Sequence, residues 1–329
     1  MFNYRLNVKL DYYYKYTSSL IYDIPIPGSL YAFGAQVENA MEISNEGLEL
    51  ELQADILRES AVSWRMKFNM ARNWNRFEKS YSGKDVVDGD GTLLVVGRPL
   101  NGLYVWAHRG YYNSDAEVPR LYKIDGQEIY FNGVATNGIS GAVGDYRLLD
   151  LDGDGNPDSY YAGSPLPLAH GGWVNELMWK NFDLNVLVNF TIGRKMINNR
   201  MGLGFSRQSE DGHLTKLFDY RKLRPWDGVN KKPNAPAWGN SLSMNTDSAI
   251  EKVHHLALKQ ITLGYNLPDR ISKKAGLSGV RFFLTAENLF YLSNYSGGNP
   301  EVVNIYTGRD NGDTYPLPRK YTLGLTLNF

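Results

Sequence analysis

The chain contains no cysteine among its 329 residues, which removes disulfide and thiolate chemistry. It has no run of about 18 apolar residues, so no transmembrane helix is encoded. Net charge is missing too: 35 basic and 35 acidic side chains cancel, and nothing points to a nucleic-acid partner or a strongly anionic surface. His108, His170, His213, His254 and His255 show no HExxH spacing. There is no GxSxG elbow or P-loop, and the glycine-rich stretch from Gly138 to Gly144 precedes no clear helix. The sequence is therefore read as non-enzymatic and without an organic cofactor. Met1 leads straight into a strand pattern, with no signal peptide visible.

What is abundant is the material of strands, turns and interfacial girdles: 33 glycines, 23 tyrosines and seven tryptophans. At the C-terminus Tyr321, Leu323, Leu325, Leu327 and Phe329 share one side of a strand, with Thr322, Gly324, Thr326 and Asn328 on the other. At the N-terminus Phe2, Tyr4, Leu6, Val8, Leu10, Tyr12, Tyr14 and Tyr16 alternate with polar residues, and Tyr13 is the single interruption. That run exceeds the roughly 9–11 residues a tilted strand needs to cross a bilayer. A closed barrel is the β-structure that satisfies its backbone hydrogen bonds inside a membrane.

Six further strands lie between. Leu48 to Ile56 and Trp64 to Met70 alternate clearly, Trp173 to Lys180 more weakly, and Phe182 to Ile192 clearly again. The next runs from His255 to Leu267, with a phase change between Leu258 and Ile261 that predicts a β-bulge. Val280, Phe282, Leu284 and Ala286 mark the penultimate strand. Connections alternate in length: 19–45, 80–169, 196–253 and 295–317 are long, whereas 58–61, the turn at Asn181, and 268–279 are short. Outer-membrane barrels place short turns on the periplasmic side and long loops outside. The expected fold is all-β, an antiparallel transmembrane β-barrel segment of about eight strands. Tyr12, Tyr14, Tyr16, Trp64, Trp179, Phe182, Tyr265 and Phe329 lie near strand ends, where girdles form. Arg5, Lys9, Asp11, Glu49, Glu51, Asp55, Arg65 and Lys67 fall on the inner side.

Several phrases together resemble the SusC/RagA family of TonB-dependent outer-membrane transporters: LDYYYKYTSSLI (10–21), ISNEGLELELQADIL (43–57), LLDLDGDGNPD (148–158), KNFDLNVLVNF (180–190), KQITLGYNLP (259–268), AENLFYLSNYSGGNPEV (286–302) and YPLPRKYTLGLTLNF (315–329). The resemblance implies a plugged barrel of about 22 strands that imports glycans or peptides. Residues 1–329 then correspond to its C-terminal barrel part, with the plug domain and signal peptide absent. The partners it implies are a SusD-like surface lipoprotein and the TonB complex, reached through the missing N-terminal region. The fragment alone is not expected to transport. Two other readings stay open: an autonomous small outer-membrane barrel with ligand-binding or adhesive loops, and a soluble extracellular β-sheet carbohydrate-binding protein.

Two loop features carry candidate chemistry. Asp150, Asp152, Asp154, Asn156 and Asp158 present oxygens at alternate positions, and Gly155 permits a sharp bend, as in the first half of a calcium loop. Tyr161 stands where an EF-hand needs a bidentate Glu, so the reading is either a Ca²⁺ site of extracellular type or an acidic turn. Tyr104, Trp106, Tyr111, Tyr112, Trp226 and Trp238 offer flat rings for a sugar or peptide, or for packing the loops on one another.

Overall fold

A computed structural model describes residues 5–26, 35–58, 60–87, 93–118, 120–122, 128–130, 143–153, 158–199, 224–229, 232–237, 246–312 and 314–329. Eight long strands form one antiparallel sheet: β1 (Leu6–Pro25), β2 (Ala35–Leu57), β3 (Val62–Lys79), β4 (Ala169–Trp179), β5 (Phe182–Asn198), β6 (Ile250–Asn266), β7 (Gly279–Ser293) and β8 (Lys320–Asn328). Each pairs with its neighbours in sequence, so spatial order equals chain order, and the sheet is open between β1 and β8 among the described residues. The fold is thus the expected all-β, up-and-down segment. Among the described residues no helix is long and apolar enough to cross a membrane.

Alternation fixes what each face of the sheet carries, because neighbouring strands pair in register. One row across the outer face reads Val8, Leu52, Phe68, Trp173, Val188, Leu258 and Phe290. Lower down, Trp179, Phe182, Tyr265, Phe282 and Leu325 form another row. Its rings stack or tilt together at centroid spacings of 6.2 Å for Trp179–Phe182 and 4.7 Å for Phe182–Tyr265, as a girdle at the short-turn end. Exposed leucines and aromatics on a sheet face would be a liability in water, but they are what a lipid-facing wall requires.

The bulge predicted between Leu258 and Ile261 is present: Leu187 and Val188 of β5 face Gln260 and Leu258, leaving Lys259 as the extra residue. The interruption at Tyr13 also has a cause. Its ring lies across Gly47, where any β-carbon would collide with it, and its hydroxyl donates to Asn73 Oδ1 at 3.2 Å. The 19–45 connection is much shorter than expected. An irregularity near Ser19, whose φ is +55°, shifts the register, after which Ile21 to Pro25 pair with Asn39 to Ala35. The polar–apolar alternation loses phase there, but the backbone pairing continues, and the connection shrinks to residues 26–34.

The buried apolar clusters form where the long connections pack, as a cap, on the upper ends of the wall strands. Leu103, Val105 and Ala162 pack on Ile197 and Ala249 at the upper ends of β5 and β6. Met41 of β2 and Phe77 of β3 meet Val86 and Leu94.

Candidate functional site

The inner face is polar and mixed in sign, as strand parity requires. Arg65 pairs with Asp55 at 2.7 Å, Lys67 with Glu176 at 2.7 Å, Lys9 with Asp11 at 2.8 Å, and Arg281 with Asp183 at 2.5 Å. Glycines make room for this layer: a β-carbon on Gly264 would strike the Asp183–Arg281 pair. A concave cavity of about 780 Å³ opens on this face, lined among others by Lys9, Glu51, Asn69, His170, Asn189 and His255.

Residues 294–312 fold over the rim of that cavity. The buried guanidinium of Arg194 donates to the carbonyls of Pro300 at 3.2 Å, Val303 at 2.9 Å and Asn304 at 2.6 Å. Arg309–Asp310 adds a short parallel pairing to Ile197–Asn198, and Tyr295 donates to Asp310 at 2.7 Å. This fastening carries Glu301 onto the inner wall, where Lys259 lies 3.2 Å and His255 3.9 Å away. His170 and His255 flank Thr191 in one cross-strand row, and the Nδ1 atom of each is buried without a hydrogen-bond partner. His254, its neighbour, is exposed on the other face, as strand alternation requires. Sequence reasoning placed no site role on His170, His255, Arg194 or Glu301. The inward parity of His255 was legible; the return of residue 301 across the sheet had no local signal.

The loop aromatics are distributed over the cap and do not form one platform. Tyr104 tilts against Tyr161 with centroids 5.7 Å apart, Arg98 lies 4.9 Å from the Tyr161 ring centre, and burial pushes the Tyr104 phenol up to about 12. Tyr111 stacks on Tyr146 at 5.4 Å and Tyr112 is buried; burial raises both phenols above their ordinary value. His108 meets the edge of Tyr146 at 4.6 Å and pairs with Asp247, whose second oxygen accepts from Tyr160 at 3.2 Å. That pair pins residues 103–111 to 246–249. Trp106 is half-buried and bridges Thr246, and Trp226 is half-buried and donates to Asn113 at 3.2 Å. Trp238 lies outside the described residues.

Of the acidic loop, Asp150, Asp152 and Asp158 each offer an oxygen within 4.8 Å of the others. Asp158 accepts from the amides of Leu151 at 2.6 Å and Asp152 at 3.2 Å, while Asp150 accepts from Gly153 at 2.6 Å. Asp154 and Asn156 lie outside the described residues. Three convergent carboxylates fit a hard cation that takes oxygen ligands.

An antiparallel up-and-down wall with an apolar outer face, a girdle at its short-turn end and a charged inner face is part of an outer-membrane β-barrel. Among such barrels the chain is SusC/RagA-like along its whole length. It is 29% identical over 354 residues to TonB-dependent receptor P26 of Formosa agariphila, covering 100% of this chain and 33% of that protein. It is 26% identical over 340 residues to TonB-dependent receptor SusC of Bacteroides thetaiotaomicron, covering 99% of this chain and 30% of the relative. The fold matches the structure of the RagAB peptide transporter with a TM-score of 0.73 at 23% identity, covering 100% of this chain and 34% of that one. No protein-family model matches the chain. The chain thus spans about a third of the length of the relatives it matches.

Proposed function

We propose that the chain supplies part of the barrel wall of a TonB-dependent transporter that imports a glycan or peptide across the outer membrane, without catalysis. The observation that carries this is the asymmetry of the sheet, with one face of lipid-facing rows and the other a layer of ion pairs bordering a concavity of about 780 Å³ lined by polar and apolar residues. Its likeness to receptors named as TonB-dependent, over the whole chain, supports the same reading. In this reading the 329 residues are the C-terminal part of the barrel, and a plug and a TonB-contacting segment belong to the rest of the transporter. A SusD-like surface lipoprotein would lid the loop side, where Tyr306 and Tyr315 are 68% and 84% exposed. Trp106 and Trp226, half-buried in the cap, retain ring surface for substrate, and Trp238 follows Trp226 in sequence; Tyr104, Tyr111 and Tyr112 hold the cap in shape. The Asp150–Asp158 loop would take Ca²⁺ as a brace for its carboxylates.

By themselves the 329 residues do not import, because the open sheet leaves hydrogen-bonding edges at β1 and β8. Cells expressing only this chain, supplied with labelled oligosaccharides and oligopeptides, should show no energised uptake. The same residues joined to the remaining barrel and plug should restore it. Uptake by the chain alone, or none by the joined protein, contradicts the reading.

A further inference from the structure

Above the apolar band, the outer face of β3 carries Arg72, Trp74 and Arg76 at alternate positions, on the same side as Met66, Phe68 and Met70. All three are exposed, and the Arg72 guanidinium lies 5.4 Å from the Trp74 ring centre. Their height follows from strand geometry. Val62 pairs with the girdle residue Trp179. With a rise of about 3.3 Å per residue and a tilt of about 35–45°, Arg72 stands about 23–27 Å above Val62. The apolar band of such barrels is about 25 Å tall, so Arg72 meets its outer edge and Arg76 reaches about 10 Å further, into the headgroup layer. Tyr12, Tyr14 and Tyr16 occupy the same levels on β1, as an outer girdle does.

The carboxylates on this face are already engaged. Glu46 accepts from Tyr12 at 3.2 Å, Glu42 accepts from Tyr16 and pairs with Lys79 at 3.5 Å, and Glu78 accepts from Ser44. Among the described residues no carboxylate lies within 4.0 Å of either guanidinium. Two arginines at a lipid boundary with no carboxylate partner among the described residues, separated by an interfacial tryptophan, match an oxyanion presented from the membrane itself.

We propose that Arg72 and Arg76, with Trp74 between them, bind the phosphate of an anionic lipid headgroup in the outer leaflet. The guanidinium fork donates to phosphate oxygens, while the indole ring seats against the upper acyl chain and glycerol region. Free phosphate has the same oxygens but no apolar body to engage Trp74 and Met70, so the site selects the lipid-borne form.

Native mass spectrometry of the full chain in micelles doped with phosphatidylglycerol or phosphatidylcholine tests this. The unmodified protein should retain phosphatidylglycerol in preference, and R72Q/R76Q should lose that preference by about thirtyfold, since each surface arginine contributes about fivefold to anionic-lipid attraction. R72K/R76K, which keeps both charges, should retain most of it. If R72Q/R76Q does not fold, judged by its tryptophan spectrum, R76Q alone should lose about fivefold. Equal retention by the unmodified protein and the glutamine variants overturns the proposal, as does displacement of the lipid by millimolar inorganic phosphate.

Discussion

Replacing Arg194 with Met should release residues 294–312 from the wall while leaving the strands in place. Arg194 is buried and donates to three carbonyls of that segment. Hydrogen bonds from a charged donor contribute about 1.5–3 kcal/mol each, and neighbours in one network do not add fully, so the docked segment should lose about 3–5 kcal/mol. In exchange terms that is an opening a hundredfold or more easier. The reporter is the Gly308 amide, which donates to Asn304 at 2.9 Å within the segment, read beside the wall amides of Leu187 and Gln260. Hydrogen–deuterium exchange should accelerate by at least a hundredfold at Gly308 and hardly change at Leu187. Less than a fivefold change at Gly308 would refute the view that Arg194 fastens the segment and thereby positions Glu301.

Three further outcomes follow from the same geometry. Gly324→Val should be destabilising, because the Phe283 ring lies where its side chain would stand and must swing aside; an unchanged melting temperature contradicts this. Tyr104, raised to about 12, and Tyr111, Tyr112 and Tyr146, raised by burial, keep protons that the unfolded chain releases above about pH 10. Their contribution to cap stability is therefore full below pH 10 and lost as pH rises towards 12, so tyrosinate absorbance and loss of near-UV circular dichroism should appear together late in an alkaline titration. Ionisation of these rings near pH 10 with the cap intact would contradict it. Calcium should give a calorimetric signal that D152A/D154A abolishes, and no heat from the unmodified protein removes the calcium reading.

The wall was legible in the sequence because a period of two records which side of a strand meets lipid, and the Leu258–Ile261 phase change recorded the bulge. The upper halves of β1 and β2 were not, since Ser19 breaks the alternation without breaking the pairing. The cap was legible only as length and composition. Tyr111 and Tyr112 were visible as loop rings, yet nothing local distinguishes a ring stacked on Tyr146 from one offered to a ligand. Glu301 reaches the inner wall through Arg194, more than a hundred residues earlier, and a contact of that separation leaves no spacing to read.

The assignment of the two faces is tested most directly by single-cysteine accessibility, which the cysteine-free chain permits without background. In outer membranes, cysteines at Gln53, Asn69 and Asn189 should react with a water-soluble maleimide. Those at Leu52, Phe68 and Phe290 should react only with a lipid-soluble one. Equal labelling of both sets, or the reverse pattern, would contradict a wall with one face in lipid and the other on an aqueous path.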